Sequence, residues 1–121
     1  MEFCAECGKN QVELHHIIFK SQASYLANIR INFKYLCDEH HRGNKGPHRN
    51  KEKDLEYKFE LQKKLFELFD RDYYSEKEIK ELLGTTPSEA AKITKKLRVY
   101  KEGYESLDIV CRLMGGRIYA K

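Results

Sequence analysis

The sequence predicts an α+β fold in two parts: a compact two-stranded unit over residues 1–50 and a helical remainder. Three observations predict it. All five histidines and three of the four cysteines fall within residues 4–48, and residues 49–121 hold only Cys111. Two short runs in the first part, residues 12–19 and 31–37, are rich in the β-branched and aromatic residues that suit strands. From about residue 51 onward, apolar residues recur at helical spacing between glutamates and lysines.

At 121 residues, 40% hydrophobic and 35% charged, the chain is globular rather than disordered. Fifty residues alone bury too little surface to be secure without a staple. The formal net charge of +4 and a pI near 8.8 permit a nucleic-acid partner without requiring one. No run approaches the ~20 apolar residues that span a bilayer. The opening "MEFCAECGK" lacks the apolar stretch of a secretory signal. The expected setting is therefore the cytoplasm, away from membranes, where clustered thiols stay reduced and serve as metal ligands rather than disulfides.

The elements follow in order. "CAECGK" is a tight turn containing Gly8, and "VELHHIIF" is a β-prone run. "SQASYLANIR" leaves room for a helical turn; "INFKYLC" alternates as a second strand; "RGNKGP" is a loop. Pro47 can open the next helix, since proline is tolerated at the first helical position. Leu55, Phe59, Gln62, Phe66 and Phe69 step along one face of that helix, and Leu61, Leu65 and Leu68 widen it. Residues 51–72 thus form an amphipathic connecting segment, interrupted at "DRDYYS".

Residues 73–121 form a small helical region. Ser75-x-x-Glu78 is a capping-box pattern before Ile79, Leu82 and Leu83, and Gly84 stops that helix. Thr86-Pro87-Ser88-Glu89 repeats the box with proline at the first helical position, and Ala90, Ile93 and Leu97 line the face that follows. A third helix runs from about Glu105 to Met114 and ends at Gly115-Gly116; "RIY" suits a short strand. Cys111, within an apolar run, reads as a core residue.

Cys4-x-x-Cys7 and Cys37-x-x-His40 are two pairs with metal-ligand spacing. Two intervening residues let one tight turn aim both donors at one ion, and two such turns complete a tetrahedral Cys3His site for structural Zn2+. The ion would pin the N-terminal turn to the end of the second strand.

With those ligands assigned, "ELHHII", "NFKYLCDEHH" and "GPH" remain, and in this order the chain resembles the HNH endonucleases, the ββα-metal nucleases with a zinc knuckle. The resemblance covers about residues 4–48. It departs at His40, where a fourth cysteine is commoner, and at Phe19, where proline is frequent. The resemblance implies a ββα-metal unit over residues 1–50 with two kinds of site residue. His15, His41 and His48 would bind a catalytic divalent metal, with His48 reaching it from the first turn of the next helix. His16 would be the general base. Asn32 would orient His16 by hydrogen bonding or hold the turn around it.

The chemistry agrees. Phosphodiester hydrolysis needs a water made nucleophilic near neutral pH, which an imidazole with a pKa near ~6.5 provides. It also needs a cation to offset charge on phosphorus and on the departing 3′-oxygen. Mg2+ or Mn2+ is the ion the resemblance implies, although imidazole ligands also suit Ni2+, Co2+ or Zn2+.

Residues 78–97 resemble a helix-turn-helix, so Ser88, Lys92, Lys95 and Lys96 are the candidate DNA contacts. A plain helical hairpin with a solvated charged face is the other reading, and Glu89 at its tip would repel phosphate. The expected function is a metal-dependent DNA endonuclease, similar to small phage or mobile-element products. Cutting both strands would need a homodimer or two sequential events. The alternative is a non-catalytic zinc-stabilised nucleic-acid-binding or regulatory module, which has no need of His15, His16 and His41.

Overall fold

The computed structural model describes residues 1–120 and has an α+β architecture. β1 (Glu13–His16) and β2 (Phe33–Leu36) form an antiparallel hairpin in which Glu13 faces Leu36 and His16 faces Phe33. α1 (Asp38–Arg42) and the long α2 (Lys51–Leu68) follow. The remainder comprises β3 (Tyr73–Tyr74), α3 (Glu76–Leu83), α4 (Pro87–Thr94), β4 (Val99–Tyr100), β5 (Gly103–Glu105) and α5 (Ser106–Leu113).

Both strands of the first hairpin are shorter than the sequence predicts. β1 ends at His16 because the chain then folds back on the β2 entry. Ile17 N–H donates to the Asn32 carbonyl at 2.9 Å, and Ile18 N–H donates to Asn32 Oδ1 at 2.7 Å. Ile17 and Ile18 are both buried, which two successive residues of an alternating strand cannot be on a one-sided sheet. β2 starts only at Phe33 because Arg30–Asn32 form a 3-10 turn. Ser24–Leu26 form another, within the stretch that left room for a helical turn.

α2 does not open at Pro47. Asn50 caps it, its side chain accepting from Lys53 N–H at 3.1 Å, and Pro47 lies in the preceding turn. The buried face is also rotated from the predicted one. Tyr57, Leu61, Leu65 and Phe69 are buried, whereas Phe66 is 40% exposed. Gln62 lies on that face because it binds a neighbouring backbone. Its Nε2 donates to the Tyr119 carbonyl at 2.9 Å and its Oε1 accepts Tyr119 N–H at 2.8 Å. "RIY" is accordingly irregular chain docked on α2 rather than a strand.

The predicted interruption at "DRDYYS" contains β3, the edge of a three-stranded sheet ordered β3-β5-β4. Gly103 admits this sheet. Its φ is +120°, and a Cβ there would lie 2.7 Å from the Tyr74 carbonyl oxygen. Ser75 makes both bonds of its capping box. Thr86 accepts from Glu89 N–H at 3.1 Å, and among the described residues that is the only half of its box that forms. Cys111 is half-buried; Ile109, Val110 and Leu113 fill the core from α5 instead. One core joins the two parts of the chain, with Ile18, Leu26 and Leu36 from the first and Ile79, Ile93 and Leu113 from the second. Among the described residues, no helix is long and apolar enough to cross a membrane.

Candidate metal centre

Two clusters of metal-ligating side chains stand on either side of α1. Cys4, Cys7, Cys37 and His40 bring one donor atom each to within 4.8 Å of one another. Cys7 Sγ lies 3.7 Å from Cys37 Sγ, and His40 Nδ1 lies 3.2 Å from Cys37 Sγ and 3.9 Å from Cys4 Sγ. Tetrahedral zinc with its usual bond lengths separates two sulfurs by about 3.8 Å, and a sulfur from a nitrogen by ~3.6 Å. The donor set fits a structural metal such as zinc. The sulfurs are too far apart for a disulfide. Cys4 suits the thiolate form: burial opposes ionisation, but backbone hydrogen bonds from Cys37, Cys7 and Glu6 outweigh it and draw the thiol down to about 6.

The turns that deliver these donors have local causes. Cys4 N–H donates to the Lys9 carbonyl at 2.8 Å and Gly8 N–H to the Cys4 carbonyl at 2.9 Å, closing the first knuckle. Cys37 is the N-cap of α1, so the second pair lies on a helical turn that the sequence left as a knuckle. Glu6 ties the first knuckle to α2 by accepting from the Tyr57 hydroxyl at 2.6 Å.

His15, His41 and His48 form the second cluster, again within 4.8 Å of one another. His41 Nε2 and His48 Nε2 are 2.9 Å apart, and the His15 ring stands edge-on to both, with centroids 5.0 Å away. His41 is buried and receives Glu13 Oε1 at 2.8 Å on Nδ1. A carboxylate only accepts, so Nδ1 carries the proton and Nε2 keeps its lone pair toward the cluster. His15 Nε2 is buried and has no hydrogen-bond partner among the described residues. Burial first, then the neighbouring His41 and His48, hold the pKa of His15 down to about 3, so its imidazole stays neutral with one ring nitrogen bare. An orphaned buried nitrogen facing two imidazoles is costly without a partner, and a cation supplies one. Burial likewise lowers His48. His48 comes from the turn before α2, not from the helix itself, and its ring stacks on Phe19 at 5.3 Å.

His16 points to the opposite face of β1 from His15, against the Phe33 ring at 5.5 Å. Because the strand ends there, both histidines still line one open hollow of about 380 Å3, together with Phe19, His41, His48 and the cationic Lys20 and Arg42. His16 Nε2 is 2.9 Å from the Ala27 carbonyl oxygen. A carbonyl cannot donate, so Nε2 carries the proton and neutral His16 presents Nδ1 as its acceptor. Among the described residues, Asn32 directs its side-chain hydrogen bonds to Ile18 and Leu26 and not to His16. It clamps Ile18 through both backbone groups, Nδ2 donating to the Ile18 carbonyl at 3.1 Å, so of its two expected roles it holds the turn.

Glu13 is the site residue that sequence reasoning missed. Its signal was its place two residues before His15, on the same strand face. Of the candidate DNA contacts, Ser88 and Lys92 lie on α4 and are exposed, whereas Lys95 and Lys96 are exposed but lie beyond its last residue, Thr94. Lys92 Nζ lies 3.8 Å from Glu89, which offsets part of its charge. No family model matches the chain, and no curated protein or solved structure is significantly similar to it.

Proposed function

We propose that the protein is a metal-dependent endonuclease of the HNH type that hydrolyses phosphodiester bonds in DNA. One observation carries this reading: His16, fixed with Nδ1 as its acceptor, shares a hollow with three imidazoles that converge around an orphaned buried nitrogen. In this reading His15, His41 and His48 hold a divalent cation, Mg2+ or Mn2+ in use, which offsets negative charge at the scissile phosphate. Three neutral ligands would leave that cation its full charge. Lys20 and Arg42 at the rim favour a phosphate diester.

His16 Nδ1 would take a proton from the attacking water as the new P–O bond forms and the bond to the 3′-oxygen breaks; the departing oxygen would take a proton from solvent and His16 would release its own to solvent, leaving a 5′-phosphate and a 3′-hydroxyl. Ala27 keeps the imidazole in the tautomer that step needs. Cys4, Cys7, Cys37 and His40 would hold Zn2+ in a purely structural role, which suits a reducing cytoplasm. Ser88, Lys92, Lys95 and Lys96 supply exposed polar and cationic groups for the DNA duplex, and a homodimer would be one way to cut both strands.

The test is nicking of supercoiled plasmid in Mg2+ or Mn2+ by the zinc-loaded chain. Wild type should accumulate relaxed circles. His16→Ala should be slower by about 10²–10⁴-fold while binding metal and DNA as before. No cleavage with any divalent ion, with fold and DNA binding intact, would overturn the proposal in favour of a non-catalytic zinc-stabilised module.

A further inference from the structure

The Ala27 carbonyl that holds His16 belongs to the loop between β1 and β2, which has no ladder of its own. Asn32 and short-range turns hold the loop from within, and it is also tied from outside. Two residues before Ala27, the Tyr25 hydroxyl donates to the Arg112 carbonyl at 2.7 Å, and the Arg112 guanidinium lies over the Tyr25 ring, 3.5 Å from its centroid. The same guanidinium is forked onto the end of α4. Its Nε donates to the Ile93 carbonyl at 2.9 Å, and its Nη2 to the Lys92 carbonyl at 2.8 Å. One side chain on α5 therefore ties α4 to the loop that aims His16. The end of α5 also presses on the residues after β1: a Cβ on Gly115 would lie 2.8 Å from Ile18 Cγ2.

We propose that Tyr25 and Arg112 are positioning residues for His16: through the 3-10 turn at Ser24–Leu26, the C-terminal helices set where the Ala27 carbonyl stands, and hence the tautomer and direction of the imidazole. Neither residue lines the hollow that His16 shares with the histidine cluster. Both act through the backbone between them and Ala27. The device makes catalytic competence depend on how α4 and α5 are seated. The kinetic part of this proposal rests on the endonuclease reading; the structural part does not.

The test uses the full zinc-loaded chain and four variants. Arg112→Ala removes the fork and the ring contact. Arg112→Lys keeps a charge but cannot fork. Tyr25→Phe removes one hydrogen bond and keeps the ring. Ala91→Ser alters an exposed position of α4 and leaves the Lys92 and Ile93 carbonyls in place. In 15N-labelled protein, wild-type His16 should show a single Nε2–H tautomer with slow proton exchange. Arg112→Ala should speed that exchange by about tenfold or more and mix the tautomers. Tyr25→Phe should fall between, Arg112→Lys should recover part of the effect, and Ala91→Ser should match wild type. In plasmid nicking, kcat should fall about tenfold in Arg112→Ala, with KM and metal affinity unchanged within a factor of about two.

A lower melting temperature with unaltered His16 exchange and unaltered kcat would overturn the proposal, since the clamp would then only stabilise the fold. So would a wild-type His16 that already populates both tautomers. If Arg112→Ala does not fold, Tyr25→Phe decides by the same readouts. If wild type does not nick DNA, the endonuclease reading fails, and the exchange measurement alone decides the clamp.

Discussion

Replacing Glu13 tests the proposal that the histidine cluster holds a cation. The carboxylate accepts from His41 Nδ1 at 2.8 Å and also lies 3.3 Å from Arg42 Nε. His41's hydrogen bond, before all else, holds the Glu13 carboxyl below its ordinary range. That carboxylate does two things for His41: it fixes which nitrogen is bare, and it makes the ring a stronger donor to a metal. Glu13→Ala removes both, and loss of such a partner typically weakens metal binding by about 10–100-fold. Glu13→Gln keeps an acceptor of the same reach but removes the charge. Charge-assisted bonds are about twice as strong as neutral ones, so its loss should be the smaller of the two. The assay is calorimetric titration of Mn2+ into zinc-loaded protein. Glu13→Gln still offers buried His41 an acceptor, and the ion pair it loses with Arg42 is exposed, so its melting temperature without Mn2+ should move by no more than about 2 °C. Wild-type affinity in Glu13→Ala would refute the reasoning. So would a large drop in melting temperature that tracked the lost affinity, because Glu13 would then be holding the hairpin rather than the ring.

Chelation of the zinc-loaded protein, or Cys37→Ser, should abolish bound zinc and remove cooperative unfolding of residues 1–50; metal analysis beside circular dichroism checks both. Leu65→Ala, at a fully buried site, should cost about 2–5 kcal/mol in urea denaturation, whereas Phe66→Ala, on the exposed side of α2, should cost under ~1 kcal/mol. Glu78 is held down to about 2, first by the Ser75 backbone N–H and then by Arg71, so its contribution to stability is present above an unfolded pKa of about 4.3 and is lost as pH falls toward 2. The melting-temperature gap between wild type and Glu78→Gln should therefore be widest near neutral pH and close on acidification; a constant gap from pH 6 to pH 2 would show that the carboxylate's charge is irrelevant.

Much of this arrangement was legible in the chain. Ligand spacing marks Cys4, Cys7, Cys37 and His40, because two residues between donors is a local geometric requirement that needs no tertiary knowledge. Ser75 and Glu78 announce their capping box for the same reason. What escaped depends on contacts between distant residues. Strands of two or three residues, as in β3, β4 and β5, are too short to show a period, and they exist because β4 pairs with β5 across the turn at 101–102 and β3 pairs with β5 from far along the chain. The face of α2 was misjudged because Gln62 serves the Tyr119 backbone and Phe66 meets solvent, neither of which hydrophobic spacing can report. The resemblance singles out Asn32, but only the folded loop shows that its partner is Ile18. Glu13 was passed over because a lone glutamate on a strand resembles ordinary surface until its partner, His41, is placed beside it.

α1 carries a constraint of another kind. Its two adjacent imidazoles serve different clusters, His40 the cysteines and His41 the histidines, and consecutive residues on a helix differ in direction by about 100°. Neither can be re-aimed alone. A one-residue insertion or deletion in this five-residue turn would swing both donors at once and break up both clusters. The backbone behind them is equally unyielding, since a methyl group on Gly46 would fall 2.3 Å from the His41 carbonyl oxygen. Evolutionary drift in this segment is therefore confined to its outward-facing side chains, and any working variant must inherit the spacing from Cys37 to Gly46 whole.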